Sequence, residues 1–582
     1  MTLPGHDRNS DSDSAQPLPQ ARDSASIVAV IQPPEACTKD ASRRAERSIE
    51  IAAWVVVIFA CSQILMFPFG RDQGIFAVIA DTILAGGMPY RDAWDVKPPL
   101  IFYLYALAQY LVGRRMVAIR IFEVIGLLSL YFPFRTIGRD LYHSREAGIF
   151  GWALAALAYA GADYWHTGQA ESFGAMITIW ALGVTMDRAP RLGRAVAWAA
   201  MGFLFGICFL LKPNLALSAI PCAAYAGWSE WRRTGVIARA PVPALIAAAS
   251  ALAPIAGFAA WFWLRGAWDP MYETCLHHAA AYAGVSWKAA GETHSGLTSV
   301  VTVTLMFFLM RLPMIVVVGL AAAILIRRGA SDEVAAASLL GAMIGLQLAG
   351  VAVQAKFFGY HYAVAVMLCA VVAGGGFAAI WERSREGGAW AKIRFAVIVL
   401  AVGIVFPAML PESGSFHALP NFWRRSAIRT GWLFGVGPAH TRDELDQRLY
   451  QSYSTDPVAY RMTAAVIDRV AHPHDSVFIW GYEPVIYWLA ERPHASRYVC
   501  DYPLRADWQQ AQLRATLMRE LEAAHPAVIV VEAGDFAPDI VGNNMDSMQS
   551  LKAFPQLNDY LSGYFTPIAQ VARLTIRRRT TD

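Results

Sequence analysis

Long apolar runs separated by short polar segments occupy most of the chain between residues 50 and 410. Each run has roughly the length that an α-helix needs to cross a bilayer, although a few are short. The pattern predicts a polytopic α-helical membrane protein with about eleven spans. The predicted spans are residues 50–68, 117–135, 147–163, 172–186, 195–211, 214–228, 242–264, 299–326, 333–354, 361–381 and 392–410.

The two ends of the chain follow different patterns. Residues 1–47 are rich in Ser, Asp, Pro and Ala and lack periodicity, which predicts a disordered tail before a transmembrane module at 48–410. From residue 411 onward the chain is more polar, and strand-like and helix-like runs alternate, so 411–582 is predicted to form a C-terminal α/β domain. Its predicted strands are 476–481, 497–500, 527–533 and, as a closing edge strand, 566–579, and its predicted helices are 457–471, 484–491 and 506–523.

Basic residues cluster in alternate loops of the predicted membrane module. The positive-inside rule assigns such loops to the cytoplasm and the intervening loops to the outside. The clusters are at 135–139, 188–194, 232–239, 327–328 and 383–392. The N-terminal tail is then cytoplasmic, whereas the 69–116 loop and the C-terminal domain lie on the outer side of the membrane.

The segment 98–113 begins with two prolines and continues as an apolar run. The flanking residues on both sides are predicted to lie outside, and the segment is too short to cross the bilayer twice. We therefore predict a helix that lies in the outer leaflet or dips into it, and that begins at the prolines. An ordinary short span, with one loop that violates the charge rule, is the alternative.

Composition narrows the possible functions. Of the 582 residues, 56% are hydrophobic and 16% are charged, which excludes an ordinary soluble protein and makes the lipid bilayer a partner. The net charge of +4 offers no broad basic surface for nucleic acid. No Cys-x-x-Cys motif occurs, so neither a zinc site nor a disulfide framework is predicted.

Seven charged side chains lie close together in the 69–116 loop, between two apolar runs. They are Arg71, Asp72, Asp81, Arg91, Asp92, Asp95 and Lys97. Charges so near a bilayer are costly, and they mark a functional site by default. We interpret the loop as the active-site loop of a membrane-embedded transferase.

Asp72 and Lys97 are the strongest candidates in this loop. Asp72 directly follows the first span, where a carboxylate can take a proton from an acceptor hydroxyl, or orient that hydroxyl. Lys97 precedes Pro98 and Pro99, and a fixed cation there would stabilise the negative charge of a departing phosphate. The alternatives are an interfacial aspartate without a role and a lysine that extends toward water and binds Asp95.

Further residues are candidates for substrate binding. Arg71 flanks Asp72, while Asp92 and Asp95 either hold the loop through neighbouring cations or orient an acceptor. Glu171 begins a predicted span, where the helix dipole alone explains a carboxylate, although a place in the cavity wall is equally open. The KFFGYHY segment has the chemistry of a sugar-phosphate pocket, and an aromatic belt explains it as well. Its candidate residues are Lys356, His361 and Tyr362.

The charged loop resembles the first external loop of C-type integral-membrane glycosyltransferases (GT-C), a family that includes protein mannosyltransferase-like and lipid A aminoarabinose transferase-like enzymes. The resemblance is carried by RDQGIFAVIADTILAGGMPYRDAWDVKPPLIFYLYAL. Asp72 takes the first acidic position of the family's loop. The other matching residues are Gly87, Pro89, Tyr90, Asp92, Asp95, Lys97, Pro98 and Pro99. Gln73 departs from the second acidic position, so no cofactor is assigned and dependence on a divalent metal stays open.

This resemblance implies a reaction. A sugar would pass, with inversion, from a polyprenyl-phosphate donor to a hydroxyl of a glycan, glycolipid or protein on the periplasmic side. Asp72 would activate the hydroxyl, and Lys97, with Lys356 as a second candidate, would hold the lipid phosphate. The alternative is a transporter or flippase of lipid-linked saccharides. Against transport, the sequence has no repeated halves, and its charges cluster in one outer loop rather than in interrupted helices at mid-membrane.

Overall fold

The structure is a computed structural model that describes residues 35–187, 190, 193–285, 298, 301–302, 304–305, 331–386, 388–400, 422–451, 455–508 and 510–580. Residues 49–582 form one compact unit, and the site described below belongs to that unit. Up to residue 400, the α-helices whose bounds lie within the described residues are α1 (Glu35–Ile64), which begins before this unit, α2 (Arg71–Leu84), α3 (Leu100–Val112), α4 (Val117–Ser129), α5 (Tyr131–Leu141), α6 (Arg145–Gly161), α7 (Asp163–His166), α8 (Ala170–Met186), α9 (Arg194–Leu211), α10 (Ala219–Thr234), α11 (Val242–Leu264), α12 (Trp268–Tyr272), α13 (Ser331–Gln354), α14 (Ala363–Glu386) and α15 (Ala389–Leu400).

Six stretches of helix in the described residues are long and apolar enough to cross a membrane. They are Glu46–Ile64, Val117–Leu141, Arg194–Leu211, Ile237–Leu264, Val334–Gln354 and Gly359–Arg385. The protein is therefore a mostly helical integral membrane protein, as predicted. Of the other predicted spans, 299–326 and 392–410 lie largely or partly outside the described residues.

Three predicted spans coincide with shorter helices. The helices α6, α8 and α10 have 17, 17 and 16 residues. A short 3-10 helix, Pro213–Ser218, separates α9 from α10, so α10 begins later than the predicted span at 214. The helix α1 starts at Glu35, earlier than the predicted span, and the remaining part of the predicted tail, 1–34, lies outside the described residues.

The predicted helix within 98–113 is α3, which has 13 residues. At 1.5 Å per residue it is roughly 20 Å long, which is less than the hydrocarbon thickness of a bilayer. Its neighbour α2 runs parallel to it, since Phe76 contacts Phe102 near the start of α3 and the Ala77 carbonyl accepts from Gln109 near its end. Residues 73–80 of α2 are buried between α3 and the C-terminal region. Whether α3 lies in the outer leaflet stays a prediction.

The C-terminal region contains a four-stranded sheet surrounded by helices. The helices are α16 (Phe422–Leu433), α17 (Arg442–Leu449), α18 (Pro457–Val470), α19 (Val485–Ala490), α20 (Tyr502–Arg505), α21 (Gln510–Ala524), α22 (Pro538–Val541), α23 (Ser547–Lys552) and α24 (Pro555–Tyr564). The strands are β1 (Val477–Trp480), β2 (Val528–Glu532), β3 (Phe565–Val571) and β4 (Leu574–Arg579).

The sheet is mixed and has the order β1-β2-β4-β3. The strands β1 and β2 are parallel, with Val477 opposite Val528, and both are fully buried, as their continuous apolar runs predict. The strand β4 pairs antiparallel with both β2 and β3.

Two strand predictions were wrong. Residues 566–579 form the hairpin β3–β4 rather than one edge strand, because Ala572 takes a left-handed conformation (φ +48°) and reverses the chain. Residues 497–500 are not a strand, because their backbone bonds elsewhere. The carbonyl of Arg497 accepts from the Trp94 N–H (2.8 Å) in the charged loop, and the Arg497 N–H donates to Glu520 (3.1 Å).

The C-terminal region packs directly on α2. A Cβ atom at Gly74 would lie 2.9 Å from the backbone nitrogen of Val485, so only glycine permits this approach of α19. The packing places the C-terminal region over the N-terminal end of α2, where Asp72 lies.

Candidate functional site

A cavity of about 910 Å³ lies between the membrane helices and the C-terminal region. The six ionisable side chains of its wall that matter most here are Asp72, Lys97, Glu171, Lys212, Lys356 and His361. Part of the wall is apolar. Phe209 of α9, Ile255 and Phe258 of α11, and Leu276 after α12 line it. The cavity therefore combines ionisable side chains with an apolar stretch of wall.

Asp72 is held at the N-terminus of α2, where the helix dipole favours a negative charge. Its Oδ1 lies 3.2 Å from Lys97 Nζ, and its Oδ2 accepts a hydrogen bond from Gln169 Nε2 (3.1 Å). The side chain is 14% exposed, so it is accessible from the cavity. We call Asp72, Asp95, Lys97 and Gln169 the Asp72 cluster.

Lys97 lies between two carboxylates. Its Nζ is 3.4 Å from Asp95 Oδ2 in addition to its contact with Asp72, and it lies 5.0 Å from the centre of the Phe76 ring. Burial alone would lower the pKa of Lys97, but Asp72 and Asp95 outweigh burial and hold that pKa above its usual value. Lys97 is therefore a permanent cation in the cavity wall.

The loop that carries Lys97 is braced by Tyr90. The backbone of Tyr90 is left-handed (φ +69°), which is uncommon for a residue other than glycine, and its hydroxyl donates to the Lys97 carbonyl (2.7 Å). Such strain persists only where surrounding contacts enforce it, and it often marks a functional site. The match of Tyr90 to the family's loop thus coincides with a structural role beside Lys97.

Asp95 is fully buried and does not line the cavity. Its Oδ1 accepts from the hydroxyl of Tyr502 (3.0 Å), which the C-terminal region supplies and which does line the cavity. Asp95 thus connects Lys97 to the C-terminal region. This contact corresponds to the first of the two roles considered for Asp95, that of holding the loop.

Arg71 lines the cavity, but its guanidinium group is turned toward the C-terminal region. Its Nη2 is 2.9 Å from Glu483 Oε1 and 3.8 Å from Glu532 Oε1, and both glutamates are fully buried. Arg573 binds the same two carboxylates, each at 2.9 Å. Burial would lower the pKa of Arg71, but these carboxylates raise it, so the group stays charged. Arg71 is held by protein contacts.

A second polar group, which we call the Glu171 cluster, consists of Glu171, Lys212 and His361. Glu171, in the first turn of α8, is 2% exposed, and its Oε1 is 2.5 Å from Lys212 Nζ and 3.6 Å from His361 Nε2. The Nδ1 atom of His361 is buried without a hydrogen-bond partner within the described residues. The cluster therefore brings three ionisable side chains to one part of the cavity wall.

Lys356 lies in the segment between α13 and α14. Its Nζ donates to the carbonyl of Asp539 (2.6 Å) and lies 3.7 Å from the centre of the Tyr282 ring. Burial lowers the pKa of Lys356 to about 8. The flanking residues Ala355 and Phe357 both have positive φ, +49° and +51°, so the backbone here is strained.

Two further predicted site residues, besides Asp95, do not line the cavity. Asp92 closes a turn, with its Oδ2 accepting from the Met88 N–H (2.7 Å) and binding Arg91 Nη2 (2.7 Å). Tyr362 is buried at the start of α14, whereas its neighbour Tyr360 lines the cavity. Asp81, another charged residue of the loop, pairs with Arg114 at 2.9 Å.

Sequence reasoning missed three residues of the site. Gln169 and Tyr502 hold the carboxylates of the Asp72 cluster, and Gln73 binds backbone carbonyls 91 and 94 residues away. No local sequence pattern pointed to Gln169 or Tyr502, because glutamine and tyrosine are common polar residues. For Gln73 the one available signal was its departure from the acidic residue that the family has at this position.

Metal ligation has little support from the side chains. Within the described part of the chain, no group of three or more His, Cys, Asp or Glu residues lies close enough to hold an ion. Both oxygens of Asp72 already face hydrogen-bond donors, an ammonium group and an amide N–H. The residues present therefore do not fit a metal, and the reaction below contains no metal step.

The fold matches that of known membrane proteins. ArnT from Cupriavidus metallidurans in the apo state superimposes with a TM-score of 0.55 and 14% identity, and covers 92% of this chain and 98% of its own. The same protein bound to undecaprenyl phosphate gives a TM-score of 0.54 at 12% identity, with the same coverage. The chain has the GT-C fold. The fold that the resemblance of the charged loop implies is therefore confirmed.

Part of the sequence also matches a known protein family. Residues 96–261 match the family described as dolichyl-phosphate-mannose-protein mannosyltransferase. The matched segment contains Lys97, Glu171 and Lys212, while Asp72 lies before it and Lys356 after it. No curated protein sequence matches the chain.

Proposed function

We propose that this protein is a glycosyltransferase that moves a sugar from a polyprenyl-phosphate donor to an acceptor hydroxyl. The observation that carries the proposal is the contact between Asp72 and Lys97 in a cavity with a partly apolar wall. A carboxylate and a cation side by side provide a base for the acceptor and a counter-charge for the leaving phosphate.

The apolar part of the cavity wall suits a lipid-linked donor. Phe209 and Leu276 line it, together with Ile255 and Phe258 of the candidate span Ile237–Leu264. A polyprenyl chain can lie along this wall while its phosphate reaches Lys97. A structure with the same fold is described as bound to undecaprenyl phosphate, which supports this class of donor.

The reaction then follows from the site. The acceptor oxygen attacks the anomeric carbon of the donor sugar, and the bond from that carbon to the phosphate oxygen breaks, with inversion. The acceptor proton passes to the Asp72 carboxylate. The lipid phosphate leaves with the bonding electron pair, and Lys97 stabilises its charge, with Lys356 as the second cation. Electrostatic stabilisation of this kind is usually the largest single contribution to catalysis.

The acceptor would enter from the aqueous side, between the membrane helices and the C-terminal region. The Glu171 cluster, through the partly exposed Lys212, can bind its hydroxyl groups, or those of the donor sugar. Basic loops on the opposite side favour a periplasmic site at a bacterial inner membrane. The proposed acceptors are a glycan, a glycolipid or a protein.

A transfer assay tests the proposal. Wild type and Asp72→Asn, purified in detergent, receive radiolabelled polyprenyl-phosphate sugars one at a time, with an envelope extract as acceptor and with or without a chelator. We expect label to reach the acceptor with wild type, unchanged by chelator, and to fall by about 10²- to 10⁴-fold in the variant. Full activity of Asp72→Asn would place the base elsewhere. In proteoliposomes, donor translocation without transfer would show a transporter instead.

A further inference from the structure

Two buried glutamine amides connect Asp72 to the loop before α8. Gln73 follows Asp72 and is 1% exposed. Its Nε2 donates to the carbonyls of Tyr164 (2.9 Å) and Thr167 (2.6 Å), and its Oε1 accepts from the Gly70 N–H (2.9 Å). Because a carbonyl only accepts and an N–H only donates, these partners determine which way the amide points.

Gln169 connects the same loop back to Asp72. It lies two residues beyond Thr167, is also 1% exposed, and its Nε2 donates to Asp72 Oδ2 (3.1 Å) and to the Trp165 carbonyl (3.3 Å). Gln73 therefore holds the loop, and the loop returns a donor to the carboxylate next to Gln73. We call Gln73 and Gln169 the amide clamp.

The two oxygens of Asp72 have different partners. Oδ1 faces the ammonium group of Lys97, whereas Oδ2 faces the neutral amide of Gln169. A charged donor stabilises negative charge on its oxygen more strongly than a neutral donor does, so Oδ2 is the more basic of the two. We propose that the amide clamp is a positioning device that holds Oδ2 as the oxygen that takes the acceptor proton. This inference rests on the proposed function.

The clamp is built on rigid parts. Arg120, fully buried, donates from Nη1 to Thr167 Oγ1 (3.1 Å) and from Nη2 to the Pro68 carbonyl (2.7 Å). The hydroxyl of Tyr105 donates to the Gly168 carbonyl (2.9 Å). The loop is thus fixed independently of substrate, as a positioning role requires.

The clamp also explains why position 73 is not acidic. A glutamate there could not donate to the carbonyls of Tyr164 and Thr167, and its charged oxygen would lie against them. Gln73 acts here as a tether between α2 and the loop. We expect Gln73→Glu to lose transfer activity rather than gain a metal-dependent one, so added Mg²⁺ or Mn²⁺ should not restore it.

Kinetics of Gln169→Met test the positioning role, because methionine keeps the length of the side chain and removes the donor. Gln109→Met is the matched control, since Gln109 is 6% exposed and its Nε2 donates to the Ala77 carbonyl of α2 (3.1 Å) without touching Asp72. We expect Gln169→Met to lower kcat by about 10- to 100-fold with donor KM within about threefold of wild type.

The pH profile adds a signature that a merely structural role would not produce. Losing one donor to the ionised carboxylate disfavours its charged form, so the acid limb of the kcat profile should move to higher pH in Gln169→Met and stay unchanged in Gln109→Met. Equal kcat values and equal profiles of the two variants would overturn the positioning role. Gln73→Met, expected to lower kcat in the same direction, is the second variant if Gln169→Met fails to fold.

Thermal unfolding tests the contact without relying on activity. We expect the changes in Tm of Asp72→Ala and Gln169→Met to be non-additive in the double variant, and those of Asp72→Ala and Gln109→Met to add. Additive changes in both pairs would overturn the clamp whether or not the protein is a transferase. A wild type that transfers no sugar, with the first pair coupled, would overturn the proposed function while the clamp contact itself stands.

Discussion

Arg71, which precedes Asp72, forms a buried ion pair with Glu483 of the C-terminal region, with 2.9 Å between Nη2 and Oε1. Tyr502 reaches the same loop through Asp95. The C-terminal region therefore holds the charged loop at two points and forms part of the cavity wall. The C-terminal region therefore contributes to the structure of the site, because it supplies the partners of Arg71 and Asp95 in the charged loop.

Glu483→Gln should destabilise the protein strongly. The change leaves Arg71 and Arg573 with Glu532 as their remaining buried carboxylate, and breaking one partner of a buried pair typically costs about 3–5 kcal/mol. Glu491→Gln is the control, because Glu491 also pairs with an arginine (Arg114, 3.3 Å) but its side chain is 74% exposed. That variant should differ from wild type by about 0–1 kcal/mol. Thermal unfolding in detergent compares the two, and equal Tm losses would contradict the prediction.

Lys97→Met should reduce kcat far more than it changes donor KM. The cation is proposed to stabilise the leaving phosphate, whose charge grows in the transition state, so a loss of about 10²- to 10³-fold in kcat is expected. Arg114→Met, which removes a cation outside the cavity, serves as control and should leave kcat near wild type. Initial rates over a range of donor concentrations separate kcat from KM, and a change in KM alone would mean that Lys97 only binds the ground state.

Donor binding should weaken above pH 8, because Lys356 loses its charge there. Burial lowers its pKa to about 8, so the side chain loses its charge as the pH rises through that value. If Lys356 holds the phosphate, donor KM should rise by up to about tenfold per pH unit above 8 in wild type, and much less in Lys356→Met. A donor KM that depends on pH equally in both would remove Lys356 from the phosphate site.

The same lysine gives a stability prediction whose sign follows from linkage. The folded pKa lies below that of the unfolded chain, so the unfolded state binds more protons between about pH 8 and 10.5. The free energy of unfolding of wild type, relative to Lys356→Met, should therefore rise with pH across this window and stay level below it. The increase is at most roughly 3 kcal/mol. Differences in Tm at pH 7 and pH 10 measure it, and a fall toward pH 10 would refute the sign.

Gly168→Ala should impair both stability and activity. Gly168 has φ +67°, and a Cβ there would lie 2.9 Å from the Tyr105 hydroxyl and 3.0 Å from Arg120 Nη1. Gly113→Ala is the control, since Gly113 has φ +95° but no atom within 4 Å of its Cβ position. We expect Gly113→Ala to cost about 1 kcal/mol without changing kcat, and Gly168→Ala to cost more and to lower kcat as well. A kcat unchanged by Gly168→Ala would show that the loop tolerates movement.

Much of the fold could be predicted because it depends on local patterns. Apolar runs of span length located the membrane helices, and the Pro98–Pro99 pair located the start of α3. In the C-terminal region, the continuous apolar runs of β1 and β2 identified buried strands. One of the two errors there was local, the turn at Ala572, and the other had a tertiary cause. The backbone of residues 497–500 bonds to Trp94 and Glu520 instead of a neighbouring strand, and no local pattern predicts that competition.

The sequence by itself determined that the chain is a membrane protein and that its charged loop carries Asp72 and Lys97. Apolar length and the cost of charge near lipid are properties of short segments, so they can be read without a structure. Only the tertiary structure decided what surrounds those two residues. Gln169 is 97 residues from Asp72, Tyr502 is 407 from Asp95 and Glu483 is 412 from Arg71. Buried polar groups need partners, and packing selects those partners from anywhere in the chain.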